Sequence, residues 1–169
     1  MRKISAHFYL RPDGTFGKRP ILHLDDTGRI EMVRELGDAF QEEPGLEYFP
    51  GILVPGFVAS CAHKEPSDRM KRLARINGVL RFQCGDDRLA DLNYWEAWKN
   101  IKDLDQEQVS IRTLAHYLLT HTKKAAQLLG IAEWGALEKG AQPGVLVLQN
   151  IDLRDFCITA HSSFKIIQK

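Results

Sequence analysis

No stretch of the sequence reaches the roughly 20 apolar residues that a bilayer-spanning helix requires, and Met1-Arg-Lys leads into alternating polar and apolar residues rather than a signal-like apolar run. Charge of one sign is also missing: 23 Lys and Arg stand against 22 Asp and Glu, a formal net charge of +1, with no long basic run. That removes the usual electrostatic footprint of a nucleic-acid binder. Cysteine is scarce, at three residues (Cys61, Cys84 and Cys157), and no Cys-x-x-Cys occurs. An odd count without a knuckle excludes a dense disulfide framework and points to free thiols. There is no Gly-x-Ser-x-Gly elbow, no Gly-x-x-x-x-Gly-Lys-(Ser/Thr) phosphate loop, no His-Glu-x-x-His and no Pro-Cys-x-x-Cys. Internal repeats and low-complexity tracts are absent too. The expectation is a cytoplasmic protein of one domain, residues 1–169, with neither membrane nor nucleic acid as partner.

What is present begins as β structure. Lys3 to Leu10 and Pro20 to Leu24 read as strands joined through Arg11-Pro-Asp-Gly, and Asp26-Thr-Gly turns into a third strand, Arg29 to Arg34. A polar connection leads to Leu46 to Phe49. The near-continuous apolar run Ile52 to Val58 then reads as a strand buried on both faces. Helices follow: Ser67 to Ile76, Leu92 to Ile101 with Tyr94, Trp95 and Trp98 clustered on it, and a longer one in which Ile111, Leu114, Ala115, Leu118 and Leu119 fall on one stripe. Asp105 and Gln108 are spaced as a capping box for this last helix. It breaks near Thr120 to Thr122, resumes, and stops at Gly130. Val79 to Cys84, Val145 to Gln149 and Phe164 to Ile167 are the remaining strands. Arg69, Lys71, Arg72 and Arg75 read as a solvated helix face.

The chemistry-bearing stretch is Gly51-Ile-Leu-Val-Pro-Gly-Phe-Val-Ala-Ser-Cys-Ala-His63. If the strand runs on past Val58, side chains at Cys61 and His63 project to the same side, as metal ligands do. Each also has a plain structural reading: Cys61 as a small buried hydrophobe and His63 as a strand-end histidine. The remaining histidines, His7, His23, His116, His121 and His161, show no ligand spacing. The adjacent pair Asp86–Asp87 would point to opposite faces of a strand, which excludes a carboxylate dyad there.

This stretch resembles the segment that opens the metal-binding barrel of the amidohydrolase superfamily, Pro-Gly-Phe-(Val/Ile)-(Asp/Asn)-x-His-x-His. Pro55, Gly56, Phe57, Val58 and His63 match, while Ala59 replaces the Asp/Asn and Cys61 the first histidine. Thr122, Ala126, Leu129 and Gly130, then Gly135-Ala-Leu-Glu-Lys-Gly140 and Ala141-Gln-Pro-Gly-Val-Leu-Val-Leu148, resemble the ending of such enzymes. Phe82-Gln-Cys-Gly-Asp-Asp-Arg-Leu-Ala-Asp91 is similar to the family's last barrel strand, which puts Asp87 on its metal-binding, proton-shuttling aspartate.

The resemblance implies a small β-sandwich made by both ends of the chain. A catalytic (β/α)8 barrel typically needs about 250 residues, and too few lie between His63 and Leu118. The implied fold is therefore α+β: strands of residues 1–62 and 135–169 form the sandwich, and a mostly helical 64–130 replaces the barrel, with the first barrel strand spliced almost directly to the last. The ligand set that remains is Cys61, His63 and Asp87, with Asp87 the catalytic residue if there is turnover. Zinc is the ion such a set would take; no cofactor is expected. The function so implied is a catalytically inactive, amidohydrolase-like interaction or regulatory domain. Its partners would be a second copy, meeting through the Tyr94–Trp98 helix, or a full-length amidohydrolase relative. The alternative is a minimal metal-dependent hydrolase or deaminase acting on non-peptide C–N bonds.

Overall fold

A computed structural model describes residues 1–39, 43–104 and 111–168 of the chain, with side chains at 111 and 112 left aside. The class is α+β. β1 (Arg2–Leu10), β2 (Phe16–Lys18), β3 (Pro20–Leu24), β4 (Ile30–Glu35), β5 (Leu46–Pro55), β8 (Val145–Gln149) and β9 (Ser163–Gln168) share one sheet, so both ends of the chain enter it. Its order is β4-β3-β1-β5-β8-β9, with β2 paired to the end of β1. Among the described residues no closed barrel is present.

The sheet is rolled. Ile30 exchanges backbone hydrogen bonds with the 140–141 turn, and the Arg2 guanidinium donates to the Ile167 carbonyl at 2.7 Å. The Gln168 side chain lies against Gly28, so the β4 and β9 ends of the sheet approach each other. Inside the roll sit Ile4, Leu22, Leu24, Ile30, Leu53, Val145 and Val147, closed off by Leu137. Alternation along the strands puts Ile52, Val54, Leu146 and Leu148 on the other face, against the helices and the 151–158 loop. Burial on both faces is what the apolar run predicted.

That run is divided between two sheets. β5 ends at Pro55, and β6 (Phe57–Cys61) leaves to pair in parallel with β7 (Val79–Cys84). Proline brings no N–H to a ladder, and Gly56 donates to Gly144 O at 3.1 Å in a place where a Cβ would lie 2.6 Å from Leu80. α1 (Asp68–Ile76) makes the crossover between β6 and β7, its N-terminus capped by the Ser67 hydroxyl accepting from Met70 N at 3.3 Å.

The helix expected over Leu92 to Ile101 is two short ones, α2 (Leu92–Trp95) and α3 (Ala97–Lys102). The reason is tertiary. Asp91 caps α2 locally, while Asn77, at the end of α1, accepts the Lys99 N–H at 2.9 Å and gives α3 a cap from a distant part of the chain. Trp95 and Trp98 are buried and Tyr94 half-buried, so the aromatic face packs inward and is not open for a second copy.

α4 (Ile111–Leu119) does not stop near Thr120. It widens into a π-turn, Thr120–Lys124, and continues as α5 (Ala125–Leu129) to Gly130, which adopts φ +76° as a C-terminal glycine. The Thr120 and Thr122 hydroxyls donate back to the carbonyls of His116 and Leu118 at 2.9 and 2.7 Å, an alternative partner for carbonyls that a regular α-turn would use. The expected capping pair Asp105 and Gln108 lies outside the described residues.

The π-turn drives His121 into a cage of Tyr117, Tyr94 and Phe57, with ring centroids 4.3, 5.2 and 6.3 Å away. Its Nδ1 has no partner there, and burial lowers the imidazole pKa to about 4. The folded-state value is below the unfolded one of about 6.5, so the unfolded chain takes up the proton first. Stability from this residue is complete above pH 6.5 and is lost as the pH falls toward 4. Between pH 7 and pH 4.5 the loss amounts to about 2 kcal/mol. Urea midpoints across that range should therefore fall less in His121→Phe than in the parent protein.

Gly51 supplies a second test. It sits in β5 at φ +133°, donates to His7 Nδ1 at 3.0 Å, and a Cβ on it would lie 2.0 Å from the Leu148 carbonyl oxygen of β8. Gly51→Ala should cost more than about 2 kcal/mol in chemical denaturation, because both backbone conformation and strand approach exclude the methyl group.

Candidate functional site

The C-terminal ends of β6 and β7 bring together the segments that carry Cys61, His63 and Asp87. Register pairs Cys61 with Cys84, and beyond the strands Gly85 N donates to His63 O at 2.9 Å and Asp86 N to Cys61 O at 3.0 Å. The backbones of the two loops are thus stitched together. Their side chains are not.

β6 ends at Cys61, and the next residues bend, so the shared direction that an extended Cys-x-His would have is lost. Cys61 turns inward and is fully buried, with its Sγ 3.3 Å from the His63 carbonyl oxygen and 3.3 Å from Cys84 Sγ. His63 and Asp87 stand exposed. Among the described residues no three His, Cys, Asp or Glu side chains gather as a metal-binding group. The donor set expected for zinc does not fit the ion in this arrangement, because one thiol points into the core while the imidazole and the carboxylate face solvent.

Asp86 has a different task. Its carboxylate accepts from the Arg88 guanidinium at 2.5 and 3.0 Å and from Arg88 N at 2.9 Å, and these bonds hold its pKa below the ordinary carboxylate range. Arg88 also reaches the Leu128 and Leu129 carbonyls at the end of α5. Asp86 therefore serves a loop-to-helix clamp. Both aspartates are in a loop, and with Asp86 committed to Arg88 and Asp87 facing solvent they make no acid–base dyad.

Two residues that the sequence reading did not single out organise this end of the molecule. Ser60, fully buried on β6, accepts the Leu89 N–H through Oγ at 2.8 Å and the Trp95 indole N–H through its carbonyl at 2.8 Å. Cys84 is the thiol facing Cys61; burial, then Cys61, push its pKa up. Its equivalent position at the end of the second parallel strand is the signal that would have found it.

A groove runs along the outside of the same unit. Adjoining concavities of about 490, 170 and 660 Å³ have Arg75 in common and are lined by residues of α1, β7, α3 and β9. Lys71, Arg72, Arg75, Lys102 and Lys165 line them. The acidic residue among the lining is Asp68, 3.7 Å from the Lys71 ammonium. Phe82, Leu80 and Ile166 supply an apolar floor, and Ile76 is 68% exposed at the end of α1.

Comparison with known proteins gives only partial likeness. No family model matches the chain, and no curated relative matches it. Among solved structures, N-acetyl-D-glucosamine-6-phosphate deacetylase from Mycobacterium smegmatis is similar at 20% identity over 48% of this chain and 25% of that one, with a TM-score of 0.35. A protein described as a prolidase from Bifidobacterium longum is similar at 16% identity over 49% of this chain and 23% of that one, TM-score 0.31. E. coli guanine deaminase is similar at 16% identity over 60% of this chain and 34% of that one, TM-score 0.28. These weak neighbours are amidohydrolase-family enzymes, and the chain spans a quarter to a third of their length. No helix among the described residues is long and apolar enough to cross a membrane.

Substitutions separate structural from exposed positions. His63→Ala and Asp87→Ala should each change unfolding free energy by less than about 0.5 kcal/mol, as at other exposed sites. Ser60→Ala should cost about 1–3 kcal/mol by leaving the buried Leu89 N–H without its partner. Equilibrium denaturation of the three variants checks this order.

Proposed function

We propose that the chain is a non-catalytic, amidohydrolase-like interaction domain whose basic, apolar-floored groove binds an acidic segment of a partner protein. The carrying observation is the groove itself. Five cations line it, and among the described residues Arg72, Arg75, Lys102 and Lys165 have no ion pair to neutralise them. Beneath lies apolar surface from Phe82, Leu80 and Ile166. Such a surface matches an extended or helical segment that alternates carboxylates with apolar side chains, and its long, shallow shape suits a length of chain better than an enclosed small molecule.

The ancestry rests on the motifs, with support from topology. In a closed barrel of eight parallel strands the last strand returns beside the first. The strand bearing Pro55-Gly-Phe-Val58 and the strand bearing Phe82-Gln-Cys84 are parallel neighbours here, joined through α1. This is the arrangement expected if first and last strands were spliced together, and the rolled sheet draws its strands from both ends of the chain. The hydrolase alternative needs Cys61, His63 and Asp87 to converge on one ion; their side chains face different surroundings. A homodimer would need a matching acidic surface on the second copy, and the aromatic helix face is already occupied in the core.

Fluorescence-polarisation titration against an acidic, leucine-containing peptide should show binding that weakens as salt rises and drops at least tenfold in Lys71→Glu/Arg75→Glu, with the fold intact by circular dichroism. Binding by neither peptide nor a second copy, with sedimentation giving a monomer throughout, would overturn the interaction reading. Stoichiometric zinc in protein purified without a histidine tag, lost in Cys61→Ala/His63→Ala, would favour the hydrolase instead.

A further inference from the structure

Cys61 and Cys84 are register partners on neighbouring parallel strands, and their sulfur atoms lie 3.3 Å apart, in van der Waals contact. Adjacent strands run about 4.7–4.9 Å apart, which lies inside the Cα separation that a disulfide bridges without backbone movement, about 4.4–6.8 Å. The two thiols differ in access. Cys61 is fully buried at the end of β6, whereas Cys84 is half-buried at the end of β7, beside the exposed 85–88 loop. Cys157 lies on a different segment, bridged to Asp152 in the 151–158 loop, and its Sγ faces the Asp155 carbonyl at 3.9 Å.

We infer that Cys61 and Cys84 form a redox-active dithiol, a modification site that hydrogen peroxide closes and a small dithiol reductant reopens. Cys84 is the attacking thiol because it is the accessible one. Its deprotonated sulfur displaces hydroxide from the peroxide, giving a sulfenic acid; the lost proton and the hydroxide make the first water. Cys61 sulfur then attacks the sulfenic sulfur. The Sγ–Sγ bond forms, the S–O bond breaks, and the departing oxygen leaves with the Cys61 proton as a second water. In sum two thiols and one peroxide become one disulfide and two waters. A small dithiol reverses it by exchange and is itself oxidised. Desolvation favours the neutral Cys84 thiol, so the reaction is a slow, selective one rather than that of a highly activated cysteine.

The bond would join the ends of β6 and β7 covalently, closing the loop that contains α1. It would fix the 62–67 and 85–91 segments, where hydrogen bonds alone now hold the two loop backbones together. The thiol chemistry itself needs no occupant in the groove.

Peroxide treatment followed by thiol titration and peptide mapping tests it on the unaltered protein. Free thiols should fall from three to one, the monomer mass should drop by two hydrogens, and the linked peptides should contain Cys61 and Cys84, with Cys157 free. Dithiothreitol should restore all three thiols, and the oxidised form should unfold at higher urea than the reduced one. In Cys61→Ser, dimedone should trap a sulfenic acid at Cys84 that the parent protein does not accumulate. The inference is overturned if three thiols remain, if Cys157 enters the linkage, if the product is an intermolecular dimer, or if parent and Cys61→Ser trap equal sulfenic acid.

Discussion

The close approach of backbone at Gly56 is the constraint on which the rest of the molecule depends. Proline at 55 ends the ladder of β5, and the absence of a side chain at 56 lets the chain pass beneath Leu80 while its N–H bonds to Gly144. One apolar run thereby serves two sheets. Ile52, Leu53 and Val54 hold the centre of the rolled sheet, while Phe57, Val58 and Ala59 hold the β6–β7 pair against the helices. Without the turn the run would remain one long strand, and α1, β7 and the groove would have no platform.

Much of this was readable in the residues. Strand limits such as Pro20–Leu24, Val79–Cys84 and Val145–Gln149 follow from apolar runs bounded by Gly, Pro and Asp, and Gly130 ends its helix as a C-terminal glycine should. What escaped depends on partners distant in sequence. The split between α2 and α3 is set by Asn77, some 20 residues upstream, and the π-turn places His121 in a ring cage that no spacing rule reveals. β2 is three residues long and exists through its pairing with the end of β1.

The candidate ligands are held apart for a local reason with a clear physical basis. A Cys-x-His pair shares a direction only while the backbone stays extended, and this strand ends on Cys61 itself. Cysteine is also the less polar of the two, so burial took it one way and solvation took His63 the other. The sequence marked Cys61 as a ligand for metal, but the side chain it meets belongs to a residue that motif matching had no reason to choose. Cys84 stands opposite through strand register, and register is a property of the fold rather than of spacing along the chain.

Charge tells a similar story. Arg69, Lys71, Arg72 and Arg75 on an isolated helix are an ordinary solvated face, and net charge gives no warning of anything else. Folding sets three sides of that helix against different neighbours. Ala74 is buried, Arg69 remains in solvent, and Lys71, Arg72 and Arg75 overlook apolar surface from β7 and β9 that nothing among the described residues covers. A cation over water is weakly informative, whereas several cations converging over uncovered apolar side chains constrain what can bind: a ligand must bring carboxylates to the rim and hydrocarbon to the floor at once. That double demand, and not the basic residues by themselves, is what turns a solvated helix face into a candidate interface.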